Sequence, residues 1–244
     1  MMKSNHLFIG IDDTDCLNTK GTEHFTRCLG RQIEQNGLGQ IAGISKHQLL
    51  KHDSIEYTTA NQSVCIELKN ADSVENLVAF MRSYVRENAS RKSQAGFCIS
   101  EAKGIPRKVV DFGLSCKSKI ASTETAYSVA AAANIHIEGI KENSAGIIGA
   151  LAAVGLRATG EDGYVIWVKG HEIINMAGIF HAGEIYCHTR VDSIRTADGF
   201  RIPVNATIEW QNEAHPVILE NYITLLVEEH PEKEKCDWRV VEPA

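Results

Sequence analysis

Apolar and polar positions along the chain follow two periods, and the switches between them mark the elements. Leu7 to Ile11 is a short apolar run of strand length, followed by a polar loop from Asp12 to Gly21. Thr22 is suited to cap a helix that carries Phe25, Cys28, Leu29 and Ile33 on one face, and Asn36, Gly37 and Gly39 end it. Ile41 to Leu50 reads as a second strand. Val64, Ile66 and Leu68 alternate with other residues and make a third. Asp72 or Ser73 caps a helix with Val74, Leu77, Val78, Met81 and Val85 at helical spacing, and Gly96 to Ser100 is a fourth strand.

That order, β-α-β-β-α-β, is the ferredoxin-like pattern. Two helical stretches follow, from about Arg107 to Cys116 and from Ser122 to Ala133, the second rich in alanine. His136 to Ile140 reads as a strand. Ser144 is expected to cap a helix that runs through Val154 and stops at Gly155, and Tyr164 to Val168 is a further strand. From His171 onward short β-prone runs are separated by turn signals, among them Asp198-Gly199, a hairpin signal, and by Pro203, Pro216 and Pro231. The expected fold is therefore α+β. A ferredoxin-like region (residues 1–120) is followed by a second small α/β region (121–170) and a β-rich C-terminal unit (171–244).

Composition narrows the class. With 43% hydrophobic and 23% charged residues among 244, the chain has ordinary globular values, which excludes disorder or coiled coil as a description of the whole. The longest apolar run, Ile147 to Leu156, contains Gly149 and Gly155 and falls short of the roughly 20 residues of a membrane span. Leu7 to Ile11 is too short for the apolar core of a signal peptide. The seven cysteines include no C-x-x-C pair, so neither a disulfide framework nor a zinc ribbon is expected. Reduced thiols in a cytoplasmic protein fit better. The net charge of −6 argues against a protein that coats nucleic acid, but it is unevenly spread. Residues 82–119 carry 9 basic and 3 acidic side chains, whereas residues 161–244 carry 7 and 15.

Several segments could carry chemistry. G-I-D-D-T-D, Gly10 to Asp15, sets Asp12, Asp13 and Asp15 directly after an apolar strand. Carboxylates so close repel one another, and a hard cation such as Mg²⁺ relieves that cost; a solvated acidic turn is the plainer reading. The loop opening the first helix, Gly21 to Thr26, offers backbone N–H groups to an anion and the hydroxyls of Thr22 and Thr26, although Thr22 also suits a helix cap. The loop from His52 to Ser63 holds Tyr57, Thr58, Thr59 and Asn61, residues that populate any surface turn as readily as a binding loop. In S-A-G-I-I-G-A-L-A-A-V-G, Ser144 to Gly155, the glycines Gly146 and Gly149 suit either a backbone approach to phosphate or close packing of a helix on a sheet. The Gly-Lys-Ser/Thr ending of a P-loop is missing. Arg91, Lys92, Lys103, Arg107, Lys108, Lys117 and Lys119 of the basic stretch could face phosphate, with Phe97 and Phe112 among its sparse aromatic residues. His171, His181, Cys187, His188 and His215 follow no zinc-site spacing and read as ordinary residues.

Taken in order, G-I-D-D-T-D, the H-D-S-I-E-Y-T-T-A-N loop ending at Asn61, Gly96 with its strand, and the glycine-rich segment from Ser144 resemble the archaeal tRNA-isoleucine agmatinylcytidine synthetase family over roughly residues 6–170. The resemblance implies a kinase-like domain that uses ATP and Mg²⁺, in an enzyme that activates a cytosine carbonyl oxygen with phosphate before agmatine displaces it. By motif, Asp12, Asp13 and Asp15 would be the Mg²⁺ and phosphate carboxylates, and the loop around Tyr57 and Asn61 would face nucleotide or acceptor. The family's oligonucleotide-binding barrel and zinc ribbon are not expected within these residues, which hold no paired cysteines. Its Gly-x-x-Thr-Thr sequence is replaced by G-T-E-H-F-T, and the proline before its tyrosine by Glu56.

The expectation is an ATP- and Mg²⁺-dependent phosphotransferase-like protein acting on a small molecule or nucleotide. Asp12 and Asp15 are assigned to the metal, and Asp13 and Thr22 to catalysis. Gly10, Thr14, Gly21, Tyr57, Thr59, Asn61 and Gly146 are assigned to the nucleotide. An RNA-modifying enzyme that recruits tRNA without its own RNA-binding modules is the less favoured reading, and a non-catalytic nucleotide sensor the third. A homo-oligomer is compatible with the sequence; a membrane partner is not expected.

Overall fold

The computed structural model describes residues 5–15, 21–55, 60–142, 144–168, 177–211 and 214–242. The chain divides into two compact units, Met1–Thr159 and Gly160–Ala244. The first contains β1 (Asn5–Asp12), α1 (Gly21–Gln35), β2 (Gln40–Gln48), β3 (Gln62–Ala71), α2 (Val74–Asn88) and β4 (Gly96–Glu101). These are followed by α3 (Arg107–Ser115), α4 (Thr123–Ala133), β5 (His136–Gly139) and α5 (Gly146–Thr159). The strand order is β5-β4-β1-β3-β2, with every neighbouring pair antiparallel. The β4-β1-β3-β2 part of that order is the ferredoxin-like sheet expected from the sequence, and β5 extends its β4 edge.

Both faces of the sheet are covered, which is why β1 is a continuous apolar run instead of an alternating one. Ile9 is paired with Ile66 on one side and Ile99 on the other, all buried. Helix α1 packs on that face through Leu29 and Ile33, with Gly30 against Ile41 and Ile44. Phe25 of α1 meets Tyr84 of α2 edge-on at 5.5 Å, placing α2 beside it. The opposite face carries Phe8, Cys65 and Cys98, which form one core with α3, α4 and α5.

Helix α5 approaches this second face at backbone distance. A Cβ at Gly10 would lie 1.9 Å from the Ala150 carbonyl oxygen, and one at Gly96 would lie 2.4 Å from the Ile147 nitrogen. The same closeness corrects the expected end of the helix. Gly155 lies inside α5, where a Cβ would fall 2.2 Å from the Val109 carbonyl oxygen, so its role is to admit α3. The helix stops at Thr159, before Gly160 at φ +71°. Ser144 does not cap it either: its hydroxyl donates to the Lys141 carbonyl and accepts the Lys141 N–H, both at 2.9 Å. Ser73 does cap α2, accepting the Asn76 N–H at 3.1 Å.

The second unit holds β6 (Tyr164–Val168), β7 (Gly178–His181), α6 (Ala182–His188), β8 (Ser193–Arg195), β9 (Thr207–Trp210), β10 (Val217–Leu219), β11 (Tyr222–Glu229) and β12 (Trp238–Val240). The order is β6-β10-β11-β12-β9-β7, with β8 parallel to β11, over a core that includes Ile194, Ile208, Trp210 and Leu225. The Asp198-Gly199 signal forms a tight turn, closed by Thr196 N–H to the Phe200 carbonyl at 3.0 Å with Gly199 at φ +93°. Helix α6, of seven residues, is an element the periodicity did not disclose. No described helix is long and apolar enough to cross a membrane.

Candidate functional site

The acidic motif leaves the end of β1, the strand flanked on both sides at the middle of the first unit's sheet. The chain turns at Asp13, whose φ of 51° lies in the left-handed region that Asp tolerates better than most residues. The Asp12 Oδ1 accepts the Asp13 N–H at 2.8 Å, which holds the turn. Helix α1 opens at Gly21, φ +81°, and its first turn brings Thr22 back to the loop. The Thr22 hydroxyl donates to Asp15 Oδ1 at 2.9 Å and accepts the hydroxyl of buried Thr14 at 3.2 Å. Thr22 is thus not a cap of its own helix but a strut between helix and loop. Thr26 is buried, and its hydroxyl donates to the Thr22 carbonyl at 2.8 Å.

A third segment, the loop between α2 and β4, closes around the motif. Ser90 N–H donates to the Thr14 carbonyl at 2.9 Å and Gln94 N–H to Asp13 Oδ2 at 3.1 Å. Gln94 also ties the motif to α5: its carbonyl accepts the Gly146 N–H at 3.0 Å and its Oε1 the Ala145 N–H at 3.2 Å. The Lys141 ammonium pins the loop from behind, donating to the Arg91 and Ser93 carbonyls, each at 2.6 Å.

Burial raises the Asp12 carboxyl well above the usual carboxylate range, and the neighbouring charges of Asp13 and Asp15 raise it further against the lowering effect of the Asp13 N–H. Part of the residue still reaches solvent, but the carboxylate itself is packed beneath α5, where a Cβ on Gly149 would fall 1.8 Å from Oδ2. Among the described residues no group of three His, Cys, Asp or Glu side chains is gathered to hold a metal.

Asp12, Asp13, Thr14, Asp15, Gly21 and Thr22 are therefore brought together. Gly10 lies one layer deeper, sealed beneath Ala150. Gly146 sits at the edge of the group, where a Cβ would lie 2.7 Å from the Asp12 carbonyl oxygen, and its N–H is bound to Gln94. Asn61 braces the β2–β3 connection: its side-chain amide donates to the Leu50 carbonyl at 2.7 Å and its backbone carbonyl accepts the Leu49 N–H at 2.8 Å. Tyr57 and Thr59 lie outside the described residues. Gln94 was not anticipated, because two of its three bonds are made by its backbone.

Comparison with solved structures finds a similar fold over part of the chain. The chain is similar to TiaS in its complex with an isoleucine tRNA and ATP, with 25% sequence identity and a TM-score of 0.56. It is similar in fold to apo TiaS, a tRNA agmatidine synthetase, at 23% identity and a TM-score of 0.52. A tRNA fluorescent labeling enzyme matches at 25% identity and 0.53. Each match covers 62% of this chain and 35% or 36% of the other, so the chain spans about a third of the length of the structures it matches. No family model matches the chain, and no curated protein does.

Proposed function

We propose that the unit of residues 1–159 binds ATP with Mg²⁺ at the Asp12–Thr22 cluster and acts as a phosphotransferase-like enzyme on a small molecule or nucleotide. The observation that carries this reading is the cluster itself. Three carboxylates and two hydroxyls are held at the end of a central strand, in a fold that matches a protein solved with ATP.

The residues fit the cation. Mg²⁺ is usually bound by one or two carboxylates together with phosphate oxygens and water, and Asp12 and Asp15 supply the carboxylates. The ion's contribution, when bound, is to offset the charge of the phosphates. The remaining work falls to the chain. Phosphoryl transfer needs positioning and charge neutralisation more than covalent chemistry. Thr22 and Thr14 hold Asp15 in place, and the opening turn of α1 at Gly21 presents its N–H groups and dipole to phosphate. Asp13, gripped by the Gln94 N–H, is the group that orients the acceptor or takes its proton. Calorimetry of the full chain with ATP and Mg²⁺ tests this. Binding by the parent, lost in the double variant Asp13→Asn with Asp15→Asn, is expected. A parent that binds no nucleotide at millimolar ligand overturns it.

A second reading, an RNA-modifying enzyme, is favoured by the exposed cations Lys103, Arg107, Lys108, Lys117 and Lys119 around α3 and by the tRNA-bound state of the matching structure. A gel shift with tRNA that weakens steeply with salt would select it. ATP binding with no turnover in any assay would select the third, a nucleotide sensor.

A further inference from the structure

The face of the sheet beneath α5 carries a polar row beside the acidic motif. The register sets Gly10 of β1 opposite Cys65 of β3, and Ser63 of β3 opposite His47 of β2. Asp12 lies two residues beyond Gly10, and Ser63 two residues before Cys65 on the antiparallel neighbour. Strand alternation therefore puts Asp12, Ser63 and His47 side by side on one face of three adjacent strands. Residues opposite one another across an antiparallel ladder have Cα atoms about 4.5–5.5 Å apart, within reach for short side chains.

Ser63 and His47 are both 0% exposed. The His47 ring reaches the Ser45 hydroxyl at 2.9 Å. The Ser63 hydroxyl has no hydrogen-bond partner among the described residues. A buried hydroxyl left unpaired is costly, and few native ones lack an explanation. The explanation lies next to it. Two approaches to Asp12 are already taken: its Oδ1 is engaged by the Asp13 N–H, and Gly149 blocks retreat into α5. Its other cross-strand neighbour, Gly96 of β4, has no side chain to offer. Of the two residues flanking it across the ladder, only Ser63 can donate.

We propose that Ser63 is a positioning residue of the site, turning its hydroxyl to donate to the Asp12 carboxylate, with His47 on its far side keeping the row polar. The inference rests on the ATP reading for its consequence, since a directed Asp12 is what a bound Mg²⁺ needs. It extends the site sideways over β3 and β2.

Two measurements on the full chain decide it. In calorimetry with ATP and Mg²⁺, Ser63→Ala is expected to weaken binding at least tenfold, and Ser63→Thr to restore it. Binding by Ser63→Ala within twofold of the parent overturns the proposal. The second arm needs no nucleotide. The Ser63 ¹³Cβ resonance of the ligand-free protein is expected to shift in Asp12→Asn, and an unmoved resonance overturns the pairing. A parent that fails to bind ATP sinks the nucleotide reading alone, and the resonance then decides the role of Ser63.

Discussion

Gly149 stands so close to Asp12 that the carboxylate occupies the space a side chain would need, with a Cβ there only 1.8 Å from Oδ2. The glycine is kept for the acid beneath it, since alanine would otherwise be the better helix former. Gly149→Ala is expected to cost about 1–3 kcal/mol through overpacking and to displace Asp12. Gly30→Ala, in α1, meets nothing nearer than Ile41 Cγ1 at 3.4 Å and is expected to gain up to about 1 kcal/mol. Urea denaturation of both variants checks the opposite signs.

Asp12 makes the fold prefer acid. Its folded carboxyl is raised above the unfolded value of 3.8 by burial, so the native state holds the proton more tightly than the unfolded chain. The resulting stability is fully present below the unfolded value and is lost as pH rises through the folded one. Asp12→Asn, which keeps an oxygen to accept the Asp13 N–H, is expected to raise the neutral-pH melting temperature. The gain should shrink as the pH falls through the raised folded value and be gone below 3.8. Melting curves of parent and variant across that range would expose a wrong sign.

Glu67 behaves in the opposite sense. Burial pushes its carboxyl up, but the Arg157 guanidinium at 2.7 Å, with His6 and Lys69, outweighs this and holds it below the usual 4.5. Its contribution is present above that value and lost as pH falls through the folded one. Arg157→Met should destabilise by about 3 kcal/mol at neutral pH, the lower end of the range for breaking a buried pair, because a little of each side chain remains exposed. The acid-induced loss of stability should flatten in the same variant.

Thr22 joins Thr14 to Asp15 through one hydroxyl. Thr22→Val keeps the shape and removes the hydroxyl's bonds to Thr14 and Asp15, at a cost of about 1–2 kcal/mol, whereas Thr22→Ser keeps them. If the cluster binds nucleotide, the valine variant should also lose affinity and the serine variant retain it, as read by calorimetry.

The thiols should sort by burial. Burial pushes Cys65 up to about 12 and Cys116 to about 11, and raises Cys98 beyond both. Alkylation of the native protein followed by peptide mapping should label exposed Cys187 first and leave these three protected until denaturant is added.

The order of elements in the first unit was legible because the helices repeat at one clear period and the strands are short apolar or alternating runs bounded by polar and glycine breaks. Gly155 was misread because a glycine that ends a helix and one that admits a neighbouring helix look alike in sequence. Only the Val109 carbonyl beside it distinguishes them. Helix α6 is too short to show a period. The clustering of Asp12, Asp13 and Asp15 is local and could be read directly, but the strut from Thr22 depends on how the chain returns. Ser63 and His47 were missed for a different reason: one closes a candidate loop and the other lies within a strand, and in both places a polar residue normally faces water. Only the register reveals that Ser63 is buried on the strand next to Asp12, with His47 buried on its far side.

The central place of β1 has a kinetic side. A strand hydrogen-bonded along both edges and covered on both faces opens last, so the amides of Ile9 and Ile11 should be among the slowest of the unit to exchange with solvent deuterium. Thr22, in the first turn of its helix, belongs to the segment where fraying begins. The carboxylates are therefore moored to the stillest part of the unit, while the hydroxyl that meets them belongs to one of its more restless parts.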